Sequence, residues 1–251
     1  MPGETASGSG STAGASGPHS HVDHAAGGTP STGEAGIAMS APGGPETAAL
    51  ADGALGVGLY LFAWTVMIVA MMYPSSARVF QSYADTLDDV SLGARIAGVG
   101  TAAATYTAGW TLLGTVPLAA SAIVPIASLF GEWRSPTFGL ALLLLGAYQL
   151  SPIKRRSLRH CRAPRTNVGD ASGGVRHGLR FGSRFGRHDV GSCWVWMGFL
   201  VLVGSMNLLW MALITGLLSF EQLAPEGEFL AGAIGVVAVA SGAGIVVFAA
   251  I

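Results

Sequence analysis

The feature that most constrains this chain is a series of long apolar segments without charged residues. The first, from Ala54 to Tyr73, has 20 residues and contains no Asp, Glu, Lys or Arg. An α-helix needs about 20 apolar residues to cross the hydrocarbon core of a bilayer. The composition agrees, because only 11% of the residues are charged, whereas soluble domains have about 25%. The sequence therefore predicts an integral membrane protein.

Four further apolar segments follow, and together the five predict an all-α fold, a polytopic transmembrane helix bundle of about five spans. The second segment is too long for one straight crossing and contains Pro117 and Pro125, so we expect a kinked helix there. The first is expected to end at Pro74. The predicted spans are about 54–74, 96–127, 136–153, 193–220 and 229–251 of one membrane domain, 54–251.

The fifth segment carries small residues at spacings of three and four. Such residues let helix backbones approach each other closely, as helices inside a membrane bundle require. The residues are Ala231, Gly235, Ala238 and Gly242. They predict that one face of this span packs against another helix.

Residues 1–50 consist mainly of Gly, Ser, Ala, Thr and Pro. Such a segment cannot bury enough apolar surface to offset its chain entropy, so we expect a disordered N-terminal tail. It contains His19, His21 and His24. A short His-rich tract can bind metal weakly, and a chance polar cluster is an equally good interpretation.

The basic residues are distributed so unevenly that they predict a topology. Of the 13 Lys and Arg residues, 10 lie between Lys154 and Arg187, and none precedes Arg78. Cytoplasmic loops of membrane proteins are enriched in Lys and Arg. Segment 151–192 is therefore predicted to be a cytoplasmic loop, with the N-terminal tail outside the cell membrane. An odd number of spans places the two termini on opposite sides, and it places the acidic segment 220–228 outside.

Candidate metal ligands gather at one predicted depth, near the cytoplasmic face. Met71 and Met72 end the first span, and Met67 lies one turn before Met71 on the same helix face. One cysteine follows the third span and the other begins the fourth. Thiolate and thioether groups select Cu(I), whereas imidazole suits copper, zinc and other metals. The candidates are Cys161, Cys193, Met67, Met71, Met72, Met197, His160 and His188.

These residues also have a purely structural interpretation. Methionine is a common gap-filler in helical cores, and a buried free cysteine is usually a small hydrophobic residue. A thiol binds metal only when it is deprotonated, and the basic residues around Cys161 are expected to favour its thiolate. A metal site and a packed core therefore both remain open.

The second half of the basic segment has a helical pattern of its own. Arg176, Arg180, Arg184 and Arg187 recur at spacings of three and four. This pattern predicts a basic helix that lies on the membrane surface and contacts anionic lipid headgroups. We prefer it to nucleic-acid binding, because the net charge of the whole chain is only −1. Four glycines from Gly174 to Gly186 are expected to weaken such a helix.

Three sequence blocks carry a resemblance to a known family. The blocks are residues 64–74, 146–164 and 191–211. In order and spacing they resemble the DUF2182 family, predicted metal-binding integral membrane proteins, over about residues 55 to 220. The resemblance implies copper handling through cysteines at positions 157, 161, 189, 192 and 193. This chain has Ser157, Cys161, Asp189, Ser192 and Cys193 there.

The three changed positions imply a modified site. The resemblance implies that such a site also draws on the methionines and histidines named above, or on Asp189. It implies equally that the metal preference has shifted or that metal binding has been lost.

Two functions from different classes follow. The first is a membrane protein that binds or transfers copper, as Cu(I), and exchanges it with a metal donor or acceptor protein. The alternative is a structural or accessory subunit of a membrane complex with no metal of its own. We do not expect an enzyme, because the sequence has no His-Glu-x-x-His, Gly-x-Ser-x-Gly or phosphate-binding glycine motif. The predicted spans contain no central carboxylate, which argues against proton-coupled transport.

Overall fold

The computed structural model describes residues 41–124, 126, 134–162 and 173–251, and every regular element in this part of the chain is an α-helix. The predicted all-α fold is therefore confirmed. The helices are α1 (Gly44–Ala51), α2 (Gly53–Asp85), α3 (Leu92–Leu113), α4 (Thr115–Ile123), α5 (Arg134–Leu150), α6 (Pro152–Arg162), α7 (Gly174–Val203), α8 (Leu208–Leu223) and α9 (Gly227–Ala250).

The end of the predicted N-terminal tail is helical. Residues 44–50 form most of α1, whose first turn contains Pro45. Proline suits this position, because its fixed φ matches the helix and its missing N–H has no partner there. The His tract at 19–24 lies outside the described residues.

A group of packed aromatic rings holds α2 against α3 and α7. The Phe80 ring lies 5.6 Å from Tyr106 and 5.8 Å from Phe185, and Tyr83 stacks on Phe181 with 3.9 Å between the ring centroids. This packing accounts for the continuation of α2 to Asp85, so the predicted end of the first helix at 74 is wrong. An internal proline costs a helix about 3 kcal/mol, and burial of several large rings is worth more than that.

Glycines bring the backbones of α3 and α7 into direct contact. A side chain on Gly178 would collide with the Gly98 carbonyl, and one on Gly182 would collide with the Ala102 carbonyl. Residue numbers rise together along both helices at these contacts, so α3 and α7 run parallel. The glycines that were expected to weaken a basic helix instead build its contact with α3.

The small residues of the last helix pack against α5, as predicted. A Cβ on Gly242 would lie 2.6 Å from the Gly139 carbonyl oxygen, and one on Gly146 would lie 2.6 Å from the Gly235 carbonyl oxygen. Residue numbers rise along one helix and fall along the other, so α5 and α9 are antiparallel. The interpretation of the small-residue pattern is confirmed.

The predicted fourth span, 193–220, is two helices rather than one. Helix α7 ends at Val203, and Gly204 has φ 112°, a value that residues with a side chain rarely adopt. Asn207 then caps α8, because its Oδ1 accepts hydrogen bonds from the backbone N–H groups of Leu209 (3.1 Å) and Trp210 (3.3 Å). The chain reverses at 204–207, and α8 returns along α7 as a helical hairpin.

This reversal corrects the predicted topology. Lys154 pairs with Glu221, with Nζ and Oε2 2.7 Å apart, and Arg159 pairs with Glu228 at the same N···O distance. The acidic segment 220–228 therefore lies at the same end of the bundle as the basic helix α6. The prediction that places these two segments on opposite sides is wrong, because it counts the α7–α8 hairpin as one crossing.

The predicted count of five spans is not confirmed. By length and composition, two of the described helices can cross a membrane, α2 and α9. A third crossing is added if Pro136–Leu150 and Pro152–Cys161, bent by 63°, count as one broken span. Both α2 and α9 expose large apolar side chains, as a lipid-facing helix does. Those on α2 include Leu55, Leu59, Phe62 and Val66, and those on α9 include Val236, Val237, Val247 and Phe248.

The segments predicted as spans 96–127 and 136–153 are also interrupted. Helices α3 and α4 meet at Gly114, where a Cβ would lie 2.7 Å from the Trp64 ring. Pro117 sits in the first turn of α4, and Pro125 lies outside the described residues. Helix α5 ends at Leu150, and α6 begins directly after it with a proline.

The basic segment 151–192 is mostly helical rather than a loop. It contains α6 and the first half of α7, while residues 163–172 lie outside the described part. Helix α7 is continuous for 30 residues, so its basic half extends the line of its apolar half. The basic helix is therefore part of a longer helix rather than a separate one, and its contact with a membrane surface stays a prediction.

Candidate functional site

Asp189 is the centre of a buried polar cluster. It lies in α7 and is 0% exposed. Its Oδ2 accepts hydrogen bonds from the Tyr106 hydroxyl (2.6 Å) and the Trp110 indole N–H (3.3 Å), both from α3. Its Oδ1 accepts one from Nε2 of Gln222 in α8 (3.0 Å). A buried carboxylate is costly unless it is bonded, and two neighbouring helices, α3 and α8, supply the bonds here.

Both cysteines of the chain contact this carboxylate. The Sγ atoms of Cys161 and Cys193 lie 4.0 Å and 3.9 Å from the same oxygen, Asp189 Oδ1. Ser192 Oγ lies 3.8 Å from the first sulfur and 3.1 Å from the second. The two thiols come from α6 and α7 and are buried and free. We call Asp189, Cys161, Cys193, Ser192 and Gln222 the thiol cluster.

A buried ion pair lies beside the thiol cluster. Lys154 Nζ donates to Glu221 Oε2 (2.7 Å) and to the Ser192 carbonyl oxygen (2.6 Å). Gln149 Nε2 donates to Glu221 Oε1 (2.6 Å). The two charged side chains are 1% and 0% exposed. This network joins α5, α6, α7 and α8, so it fixes the position of Cys161 relative to Cys193.

The four candidate methionines are buried but do not join this network. Met67, Met71, Met72 and Met197 belong to the hydrophobic core. In the described residues, the hydrogen-bonding contacts of the two thiols run to Asp189, Ser192 and Gln222, and to none of the methionines. The structural interpretation of the methionines as core residues agrees with this placement.

His160 and His188 meet each other at the surface, next to the thiol cluster. Their rings stack with 4.3 Å between centroids and 13° between planes. His160 Nδ1 is 2.7 Å from the Arg156 carbonyl oxygen. Partial burial and the neighbouring His160, Arg187 and Arg184 lower the pKa of His188. Each histidine directly precedes a member of the cluster, so the pair lies where α6 and α7 cover the thiols.

The expectation that basic residues favour the Cys161 thiolate is not met. The polar groups that contact this thiol are Asp189 and Ser192. The nearest cation, Lys154, bonds to Glu221 and to a carbonyl group. Arg155, Arg156 and Arg159 of α6 and the arginines of α7 are exposed instead.

The donor set fits a soft monovalent ion better than a hard one. In residues 41–124, 126, 134–162 and 173–251, no group of three or more His, Cys, Asp or Glu side chains could hold a metal ion. The Asp189 carboxylate lies about 4 Å from both sulfurs, and its oxygens already accept hydrogen bonds from Tyr106, Trp110 and Gln222. Two sulfur donors remain, and such donors select Cu(I).

Sequence reasoning missed most of the residues that surround the thiols. Tyr106, Trp110, Gln222 and Glu221 were given no role, and Lys154 was counted only as a loop charge. Lys154 and Gln149 lie in residues 146–164, one of the three blocks that carried the family resemblance. Their position in this block was the signal that could have marked them as site residues. Glu221 and Gln222 offered a weaker one, two polar residues at the end of an apolar helix.

The fold and the site define a class: an apolar helical bundle that buries two thiols around one carboxylate at the end where its basic residues lie. A comparison with known families narrows this class of protein to one family. The sequence model of PpoB2, described as a copper chaperone, matches residues 61–245, and the chain belongs to this family. The DUF2182 name stays a prediction. No curated protein and no solved structure matches the chain.

Proposed function

We propose that this protein is an integral membrane copper carrier that holds Cu(I) between the thiols of Cys161 and Cys193. The observation that supports it is the convergence of both cysteines on one buried carboxylate oxygen, from two different helices. A chain that keeps only two cysteines and buries both at one point has the minimum sulfur set for Cu(I). Membership in a copper chaperone family supports the same metal.

The charge of the site also suits a monovalent cation. Lys154 is neutralised by Glu221, so Asp189 leaves the thiol cluster with one uncompensated negative charge. A metal replaces the thiol protons on binding, and Cu(I) bound to one thiolate and one neutral thiol leaves that single charge unchanged. One thiol proton leaves the protein as Cu(I) replaces it, and Asp189 Oδ1, 4.0 Å and 3.9 Å from the two sulfurs, is positioned to relay that proton. Its role is to orient the sulfurs, and copper need not contact it.

The stacked histidines mark the proposed route between the thiols and the surface. His160 and His188 are the partly exposed residues next to Cys161 and Asp189 along the chain. Imidazole binds copper, so the pair offers a transient position for an ion that enters or leaves. We propose that the His tract at 19–24 collects metal on the side of the membrane opposite the basic helix α6.

The exposed arginines are proposed to face anionic groups outside the bundle. Arg184 and Arg187 are exposed and lie within two turns of Asp189, and we propose that they contact anionic lipid headgroups. Arg176 and Arg180 lie further along the same helix, where a copper donor or acceptor protein could contact them. A carrier of this kind needs no catalytic residue, and we propose none.

The test is a Cu(I) titration of protein in lipid nanodiscs, under anaerobic reducing conditions, against a coloured Cu(I) chelator. We expect one tightly held Cu(I) per chain. The variant Cys161→Ser with Cys193→Ser contains no cysteine, and it should lose this copper while keeping its helical circular dichroism. Retention of one copper by that variant would contradict the proposal.

A matched variant tests the methionines separately. Met71→Leu with Met72→Leu removes two thioethers from the same depth and conserves side-chain volume. We expect it to retain one Cu(I) per chain. Loss of copper in this variant and not in the cysteine variant would move the site to α2.

A second function has one observation in its favour. The Asp189 carboxylate is fully hydrogen-bonded without a metal, as a structural cluster in an accessory subunit would be. That function predicts metal-free protein that co-purifies with fixed neighbours in mild detergent. The same titration distinguishes the two.

A further inference from the structure

A second buried carboxylate lies at the C-terminal end of α7, away from the thiol cluster. Glu46 is in the first turn of α1 and is 0% exposed. Its Oε1 accepts hydrogen bonds from the Tyr60 hydroxyl (3.0 Å) and from Ser205 Oγ (2.9 Å). Asp189 and Val203 are separated by about 20 Å along α7, and Ser205 follows that helix end. The two polar clusters are therefore independent.

The other oxygen of this carboxylate has no partner. Glu46 Oε2 is buried and makes no hydrogen bond to any described residue. No Lys, Arg or His in the described part of the chain forms a salt bridge with it. An ionised carboxylate in a low-dielectric interior costs several kcal/mol unless a charge or donor compensates it. A proton on Oε2 would not remove the problem, because the new O–H donor would have no acceptor.

Glu46 lies beside a break between two helices, because Ser205 donates to it. Ser205 belongs to the break between α7 and α8, where Gly204 turns the chain with φ 112°. The last carbonyl groups of any α-helix lack intrahelical partners and carry a partial negative charge. Broken membrane helices bind sodium ions at such ends, through carbonyl and carboxylate oxygens.

We propose that Glu46 Oε2, with oxygens of the α7–α8 break, forms a binding site for a small monovalent alkali cation such as Na⁺. One carboxylate without a basic neighbour balances one positive charge. The donors are oxygens from carboxylate, hydroxyl and carbonyl groups, which suit hard cations and not Cu(I). The bound ion would tie α1 to the point where the α7–α8 hairpin turns. The site does not depend on copper binding at the thiol cluster.

The test is thermal unfolding of the full chain in detergent, with NaCl replaced stepwise by choline chloride at constant ionic strength. For the natural protein we expect Na⁺ to raise the midpoint by about 3 °C or more at saturation, since a ligand of the native state stabilises it. Choline is too large to enter and should give no rise. Equal midpoints in the two salts would overturn the proposal.

Two variants locate the effect. Glu46→Gln keeps an acceptor for Tyr60 and Ser205 but removes the charge, so the Na⁺-dependent rise should disappear. Asp52→Asn removes an exposed carboxylate at the same end of the bundle and should leave the rise unchanged. A rise that persists in Glu46→Gln would show that sodium acts elsewhere. Should Glu46→Gln fail to fold, Ser205→Ala removes a hydroxyl oxygen of the proposed site and should move the rise to higher Na⁺ concentration. An unchanged Na⁺ dependence in that variant, with an intact fold, would count against the site.

Discussion

The two buried carboxylates of this bundle differ in how their oxygens are bonded. Both oxygens of Asp189 accept hydrogen bonds, from Tyr106 and Trp110 on one side and from Gln222 on the other. Only one oxygen of Glu46 does. The first carboxylate has both oxygens bonded and contacts both thiols, whereas the second retains one unbonded oxygen. Burial alone therefore does not describe either site, and the difference can be tested residue by residue.

The largest effect is expected at the ion pair beside the thiol cluster. Lys154→Met leaves Glu221 buried and bonded only to Gln149, and removal of one partner from a buried pair typically costs about 3–5 kcal/mol. We expect a corresponding loss in the free energy of unfolding, measured in detergent. The double variant Lys154→Met with Glu221→Leu removes both charges and should recover much of the loss. If the single variant is as stable as the natural protein, the pair is not buried as described.

The next effect separates the two carboxylates directly. In Asp189→Asn, either orientation of the amide turns its NH₂ group towards a donor, Gln222 or Tyr106. We expect a loss of about 1.5–3 kcal/mol, the usual contribution of hydrogen bonds to a charged group.

Glu46→Gln is the matched comparison, because its amide nitrogen takes the position of the unbonded oxygen and both donors keep an acceptor. In sodium-free buffer, Glu46→Gln should lower the free energy of unfolding by less than Asp189→Asn does. The thermal midpoints of the two variants test this order, and the reverse order would contradict it.

A smaller effect is expected from the donors to Glu46. Tyr60→Phe removes one of the two hydrogen bonds to Oε1 and conserves the ring, so it should cost about 1.5 kcal/mol, the low end for a bond to a charged group, because Ser205 still donates to the same oxygen. Ser205→Ala should cost a similar amount. Chemical or thermal unfolding with tryptophan fluorescence measures both. A loss beyond about 3 kcal/mol in either variant would mean that the hydroxyl does more than bond to Glu46.

The smallest effect is expected at the exposed ion pair. Arg159 and Glu228 approach as closely as Lys154 and Glu221 do, 2.7 Å, but their side chains are 67% and 34% exposed. Water and salt screen such a pair. Arg159→Ala should leave the thermal midpoint unchanged in 150 mM NaCl, and a clear drop would show that contact distance outweighs burial here.

Part of this architecture could be predicted from the sequence. The apolar runs predicted α2 and α9, and the small residues at 231–242 predicted the face of α9 that meets α5. The two cysteines were placed at one depth because each borders an apolar segment, and the structure brings both to Asp189. In each of these cases a local pattern carries the information.

The remainder depends on contacts between distant residues. The reversal at Gly204 depends on one backbone angle inside an apolar run, which hydropathy does not register. Lys154 and Glu221 were assigned to opposite sides of the membrane, so their pairing could not be foreseen. Glu46 was assigned to a disordered tail, because composition does not show that α1 folds against Tyr60 and Ser205.

The most direct test of the central claim is copper K-edge X-ray absorption of the Cu(I)-loaded protein, reduced and in nanodiscs. The account predicts a Cu(I) edge with two sulfur neighbours in the natural protein, and no sulfur coordination in the variant Cys161→Ser with Cys193→Ser. A spectrum with only nitrogen and oxygen neighbours, or sulfur coordination that persists in the cysteine-free variant, would contradict it.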